Sequence, residues 1–329
     1  MQISSQSNLQ YGVGVDIGGS FVKLGVVEYS ADSNADAPPK IINKFKISTA
    51  GMGSSSTTFA DNLARSIYGL IRETKVDVSL QPENNDSTIA AIRAAAETPQ
   101  AKIIPTISRI GVGVPGCVED GKIIDCANIP YLANCHLAQL LSQKLKFNLQ
   151  NITLDNDANM AAKAEVAFGD DRIKSAKNIV MITIGTGIGG AVFANGVLQN
   201  GARGLFGEVG RMRIFGDKTF EEVCSATALK TMAVCDDLTE IFPPLNNATK
   251  AIIASYAQNL GMGISNIINC YDPSCIILGG GISFGLKYLL PEVLQEVQKH
   301  NYGGKPLDEY LTILSATFGN NAGIIGCIV

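Results

Sequence analysis

The sequence predicts an α/β fold built as two related lobes, and three observations carry that prediction. Strand-like and helix-like segments alternate along almost the whole chain, the pattern of sheets covered by helices. A strand–glycine turn–strand unit occurs once in each half, as YGVGVDIGGSFVKLGVVE at 11–28 and NIVMITIGTGIGGAVFANG at 178–196. The 329 residues exceed the usual single-domain range. With 46% hydrophobic and 17% charged residues, they hold apolar material for more than one core.

Taken in order, 11–28 gives two apolar strands around a Gly-Gly-Ser turn. IINKFKIS (41–48) adds a third strand after the polar, proline-containing loop ADSNADAPP. Residues 57–74 space Phe59, Leu63, Ile67 and Leu70 or Ile71 for an amphipathic helix. The polar stretch QPENNDST and a short helix through IAAIRAAAE form an inserted excursion over 75–107. The core resumes with the strand RIGVGVPG at 109–116; ITLDNDAN is a later strand, followed by a helix to about Phe168. Beyond the second glycine hairpin come a helix near 221–233 and a long helix near 248–269. The latter places Ile252, Tyr256, Leu260, Ile264 and Ile267 or Ile268 on one face. The strand SCIILGGG, a helix near 286–299, the strand YLTILSA and a final apolar segment close the chain.

A net charge of −4 argues against nucleic acid or an anionic membrane as a partner. The opening MQISSQSNLQ has neither a basic region nor an apolar run, so no signal peptide is expected. Apolar runs elsewhere fall short of the ~20 residues of a membrane span. The eight cysteines are then expected as reduced thiols in a cytoplasmic protein. Cys117, Cys126 and Cys135 lie nine apart, Cys270 and Cys275 five apart, and no CxxC pair occurs. With His136 and His300 as the only imidazoles, a zinc site is not expected, and the cysteines read as small buried hydrophobes.

Glycine in a strand-to-strand turn admits positive φ and close approach of a ligand, and successive N–H groups there form an anion site. Two such turns could hold the β- and γ-phosphates of a nucleotide, although each alone is equally an ordinary tight hairpin. A dinucleotide fingerprint must open a helix, whereas GTGIGG (185–190) runs into the apolar strand AVFANG; no GxxxxGK[ST] occurs either. Asp16 stands at the mouth of the first turn, where a carboxylate repels phosphate unless Mg²⁺ lies between them. Lys23 reads as a solvated strand lysine before a phosphate ligand, and Thr186 offers a hydroxyl in the second turn. The bare GGG at 279–281 would let a base or ribose pack on backbone.

Asp155, Asn156 and Asp157 fall at a strand end just before a helix, where helix capping alone would explain them. Phosphoryl transfer asks for positioned phosphates, a metal and a carboxylate that accepts the substrate proton. Asp157 is the best-placed candidate for that carboxylate. Glu208, Glu221 or Glu222, and the amides of Asn128 and Asn156, could bond sugar hydroxyls.

DIGGS (16–20), GVGVPG (111–116), ANIP (127–130), DNDAN (155–159), GTGIGG (185–190), GEVGR (207–211), YDPSCIILGGGIS (271–283) and FGNNAGIIG (318–326) together resemble the successive motifs of the ROK sugar kinases. The resemblance runs in family order over nearly the whole chain. It implies a two-lobed actin-like (ribonuclease H-like) α/β kinase fold with a cleft between the lobes. The N-terminal lobe would be 1–127, completed by 318–329, and the C-terminal lobe 128–317. It also implies MgATP as donor and a hexose, glucose first, phosphorylated at its 6-hydroxyl. The base falls on Asp157. Phosphate contacts fall on Gly18, Gly19, Ser20, Gly185, Thr186 and Gly187, with Lys23 beside them and Asp16 toward Mg²⁺ through water. Nucleotide contacts fall on Gly279 and Gly280, and sugar contacts on Asn128, Asn156, Asp157, Glu208, Arg211 and Glu221. A homodimer is implied.

The departures are local. Most of the family reads Gly-Glu-x-Gly-His where this chain ends in Arg211, and that His touches the sugar and ligates zinc. The CxCGxxGC loop that follows is here RMRIFGDKTFEEVCS, shorter and without those cysteines, so no zinc is expected. Arg211 is always charged and only donates hydrogen bonds, so the acceptor's C1/C2 region is expected to be read differently. Fructose, mannose, N-acetylglucosamine and N-acetylmannosamine are the alternative acceptors. A non-catalytic sugar-sensing regulator is the alternative of another class. About ten residues precede the first strand, which is expected to leave no room for the helix-turn-helix of the family's repressors, and the base is retained.

Overall fold

The structure is a computed structural model and describes residues 9–30, 38–75, 77–78, 106–302 and 305–329. The short helix expected inside the 75–107 excursion lies outside the described residues. The chain forms two compact units, Met1–Asn156 with Ile328, and Asp157–Cys327 with Val329.

In the first unit β1 (Leu9–Ile17), β2 (Phe21–Ser30) and β3 (Lys40–Ser48) form an antiparallel meander. On its other side β1 runs parallel to β5 (Thr106–Val114). The far edge of β5 takes two further parallel strands, β4 (Asp77–Val78) and, after the separate hairpin of β6 (Cys117–Glu119) and β7 (Lys122–Asp125), β8 (Ile152–Asn156). Val13, Val15, Ile17, Val22, Leu24, Val26, Val112 and Val114 are fully buried. Burial on both sheet faces is why these strands read as nearly unbroken apolar runs. At the edge, β3 alternates exposed and half-buried positions, with Lys40, Lys44 and Lys46 outward, which discourages pairing with another chain.

The helix Ser56–Thr74 buries Phe59, Leu63, Ile67, Leu70 and Ile71, the stripe its spacing predicts. Ser55 and Thr58 start it with a capping box that satisfies two orphan N–H groups. The helix Leu137–Leu145 packs against it, and Tyr68 Oη donates to Leu145 O at 2.9 Å.

In the second unit β9 (Ile179–Ile184), β10 (Ile188–Ala194) and β11 (Val197–Leu198) are antiparallel neighbours. β14 (Cys275–Gly279) and β15 (Thr312–Ser315) continue the sheet parallel to β9. The order β11-β10-β9-β14-β15 repeats β3-β2-β1-β5-β8 in strand directions as well. The duplication read from two glycine hairpins is thus present in topology. The helix Asn247–Tyr271 packs on Leu286–Lys299 and buries Tyr256, Leu260, Ile264, Ile267 and Ile268, with Ile253 rather than Ile252 completing the stripe. The single helix expected near 221–233 is two, Phe220–Cys224 and Ala226–Ala233. Ser225 between them is extended (φ −68°, ψ 161°) and caps the second through the Ala228 N–H.

The units also divide elsewhere than at 127/128. Residues 128–156 stay in the first unit because β8 pairs with β5 and Leu137–Leu145 packs on Ser56–Thr74. At the other end Ala322–Gly326 packs on Asp157–Phe168 in the second unit. Only Ile328 returns to the first, where its carbonyl accepts Arg109 Nη1 at 3.0 Å. All eight cysteines are free thiols; six are buried, while Cys235 is half-buried and Cys270 exposed. Among the described residues no helix is long and apolar enough to cross a membrane.

A Cβ on Gly326 would fall 1.6 Å from the Met160 carbonyl oxygen, so tightly do those two helices meet. Gly69, inside Ser56–Thr74, has no other group within 4 Å of such a Cβ. Gly326→Ala should therefore lower stability by about 3 kcal/mol, and Gly69→Ala should raise it by roughly 0.5–1 kcal/mol. Thermal unfolding of both variants checks this, and a shift of the same sign in the two would contradict it.

Candidate active site

Half of the candidate residues follow the carboxyl end of a parallel strand, where open α/β sheets bind ligands. The turn 18–20 follows β1, Asp157 follows β8, 185–187 follows β9 and 280–281 follows β14. Asn128, Glu208, Arg211 and Glu221 come instead from the connections.

In the first unit, Asp16 on β1 is the cross-strand partner of Lys23 on β2, and Lys23 Nζ meets Asp16 Oδ2 at 2.8 Å. Lys23 is thus ion-paired as well as partly exposed. Its ammonium neutralises the carboxylate at the mouth of the turn. Gly18 N–H donates to Phe21 O at 2.9 Å, so that donor belongs to the turn itself. The buried Thr49 supports the turn from behind: Oγ1 donates to Gly18 O at 2.7 Å, and its N–H to Ser20 O at 3.0 Å. The exposed Asn128 lies against Gly19, where a Cβ would stand 3.5 Å from its amide. Asn156 Nδ2 donates to Gly116 O at 3.0 Å and ties the end of β8 to the end of β5.

In the second unit, the half-buried Asp157 opens the helix Asp157–Phe168, and its Oδ1 accepts the Ala158 N–H at 3.0 Å. Farther along this helix Glu165 is fully buried, and its two oxygens accept the N–H groups of Thr317 and Phe318, each at 2.8 Å. Burial pushes the Glu165 carboxyl up, and those bonds pull it back.

Gly185 N–H on Gly187 O, at 2.9 Å, closes the second turn. Residues 221–227 clamp it: Ala226 N–H donates to Gly185 O, Thr227 Oγ1 to Thr186 O, and Ile188 N–H to Glu221 Oε2, each at 2.9 Å. GEVGR lies against β10, where a Cβ on Gly210 would stand 2.2 Å from Ile188 O. Gly207 (φ 92°) approaches Gly190 O in the same way, and Glu208 between the two glycines is half-buried. Burial pushes its carboxyl above the ordinary range; the Arg211 guanidinium opposes the shift and the Glu221 carboxylate adds to it. Glu208, Arg211 and Glu221 therefore share one electrostatic neighbourhood.

The positive φ expected of the hairpin glycines is absent at Gly18, Gly19, Gly185 and Gly187. Room is what these turns require: a Cβ on Gly187 would fall 2.3 Å from Glu221 Oε2. Left-handed backbone occurs instead at Gly280 (φ 87°), where a Cβ would stand 2.5 Å from Ile184 O. Gly279 is likewise packed from behind, by Met181 Cε at 2.9 Å, and Gly281 is the glycine with nothing within 4 Å. Internal contact thus lies behind Gly279 and Gly280, while Gly281 is open.

Sequence reasoning missed Thr49, Glu165 and Thr227. A signal for the last existed: Thr219-x-x-Glu222 is a capping box, and Ser225 is a second N-cap six residues on. No local signal marks Thr49 or Glu165, whose partners lie 31 and 152 residues away. Among the described residues no group of three or more His, Cys, Asp or Glu side chains could hold a metal ion.

The profile of the ROK family matches residues 60–329. A glucokinase of Halalkalibacterium halodurans is 27% identical over 95% of this chain and 92% of its own length. A bifunctional enzyme NanE/NanK of Brucella melitensis is 28% identical over 78% of this chain and 49% of its own. The structure of a ROK family glucokinase from Streptomyces griseus, in complex with glucose and AMPPNP, superposes with a TM-score of 0.72. It covers 97% of this chain and 98% of the other at 21% identity, a likeness of fold: the two-lobed actin-like architecture.

The upward shift at Glu208 has a measurable sign. Its protonated form is favoured in the folded state, so its ionisation at neutral pH opposes folding. Glu208→Gln should raise the unfolding temperature at neutral pH. The gain should vanish as pH falls through the carboxylate range, where the native side chain is itself neutral. A gain that does not change with pH would show that the carboxylate is not desolvated.

Proposed function

Because the chain belongs to the ROK family, we propose that it transfers the γ-phosphoryl group of ATP to the 6-hydroxyl of a hexose, glucose first, with Asp157 as general base. The supporting observation is one bonded assembly: Glu221, a polyol-binding carboxylate in this reading, holds the Ile188 N–H at 2.9 Å beside the turn 185–187. Phosphoryl transfer is mostly positioning and charge, and here one side chain serves both the phosphate turn and the acceptor. The glucokinase relative supports glucose as acceptor. Arg211 in place of the family's histidine keeps fructose, mannose and the two N-acetylhexosamines as alternatives.

In this mechanism the turns 18–20 and 185–187 hold the phosphates, and Gly279–Gly281 faces the nucleoside. Glu208, Glu221, Asn128 and Asn156 bond the sugar hydroxyls, while Arg211 supplies donors alone. Asp157 takes the 6-hydroxyl proton as the bond from O6 to the γ-phosphorus forms and the bond from that phosphorus to ADP breaks. Asp16, whose Oδ2 meets Lys23 Nζ at 2.8 Å, is the residue that would hold Mg²⁺, through water, at the first turn. When bound, Mg²⁺ supplies neutralisation of the phosphate charge. No zinc is required. The protein is on this reading a cytoplasmic homodimer acting on small molecules, with no nucleic-acid or membrane partner.

A coupled assay with MgATP over glucose, fructose, mannose, N-acetylglucosamine and N-acetylmannosamine should give glucose the highest kcat/KM. Preference for another sugar would overturn glucose alone; no turnover of any would overturn the kinase assignment. Asp157→Asn should lower kcat roughly 10²–10⁴-fold with a smaller change in sugar KM, and a retained kcat would remove Asp157 from the base role.

A further inference from the structure

The helix that carries Glu221 is Phe220–Cys224, five residues long and far below the length that is stable alone in water. The hairpin before it, β12 (Arg213–Phe215) and β13 (Lys218–Thr219), is largely exposed, and at its base the Phe220 N–H donates to Met212 O at 2.7 Å. One face of the helix Asn247–Tyr271 locates the rest. Gly263 leaves a notch there: a Cβ would lie 2.2 Å from Phe220 Cε2, and Phe220 is fully buried. Two turns earlier and on the same face, the fully buried Tyr256 donates its hydroxyl to Cys224 O at 2.5 Å. Ser225 breaks the helix at that point, so the Cys224 carbonyl lacks a helical partner of the ordinary kind. The notch seats the start of the short helix and the hydroxyl seats its end. Between them Glu221 sets Oε2 on the Ile188 N–H.

We infer, on the kinase reading above, that Tyr256 is a positioning residue for the acceptor sugar, acting through Glu221. The ring alone would fill the core. A hydroxyl in that place is unfavourable unless it is bonded, and its bond fixes the helix end next to the carboxylate.

Sugar kinetics of the native protein, Tyr256→Phe, Glu221→Gln and the double variant decide this, measured below the unfolding temperature of all four. The sugar is glucose, or whichever of the five sugars is turned over fastest. Tyr256→Phe should raise sugar KM about fivefold, the worth of one net hydrogen bond, and change kcat less. In the Glu221→Gln background the same substitution should add nothing, because coupled residues are not additive. Phe220→Leu, which keeps an apolar group in the notch, should follow the same pattern. An unchanged KM accompanied by a lower unfolding temperature would reduce Tyr256 to a core residue and overturn the inference. Additive effects of the two substitutions would do the same. A native protein that turns over no sugar would overturn the kinase reading, and this inference with it.

Discussion

The parallel pairing of β1 with β5 and of β9 with β14 is the constraint on which the candidate site depends. Parallel neighbours deliver their carboxyl ends to one edge of a sheet, and the connections that leave there can converge on a ligand. In each unit the antiparallel partner, β2 or β10, returns from that same edge through a glycine turn. Register makes the arrangement specific. Asp16 pairs with Gly113, and Gly113 with Asp155, so two carboxylates stand on one row of the first sheet, one residue from Asn156. In the second sheet Thr183 pairs with Gly279, which sets the ends of β9 and β14 level.

The turns do not hold themselves. Thr49 supports the first from β3's far end, and residues 221–227 clamp the second. Burial and hydrogen bonding then separate carboxylates that look alike in sequence. Asp16 is matched by an ammonium, and Glu165 by two backbone N–H groups in the core. Glu221 is engaged by one N–H beside the turn, and Glu208 is shifted upward by desolvation.

The segment between Arg211 and Glu221 contains no cysteine, and apolar contact locates its end. Phe220 in the Gly263 notch and the Tyr256 bond to Cys224 O tie that end to the long helix, with the Thr219–Glu222 box closing the start. Packing and hydrogen bonding of this kind hold a short helix through a few close contacts, and the one at Gly263 leaves no room for a methyl group.

By itself the sequence determined whatever a local period or a local motif can encode. The stripe Phe59, Leu63, Ile67, Leu70 on one helix and Tyr256, Leu260, Ile264 on another were legible because burial follows the 3.6-residue repeat. The glycine hairpins marked the duplication and the two phosphate-turn candidates, and family motifs marked Asp157, Glu208 and Glu221. Tertiary structure decided the rest: the division at Asn156/Asp157, the break at Ser225, the Lys23–Asp16 pair, Glu165 as a buried tie, and internal packing behind Gly279 and Gly280. Each of these depends on which atom stands opposite, and most of those atoms come from residues far away along the chain. Period and composition record that a side chain is buried, but the partner it is buried against exists only once the sheets are paired.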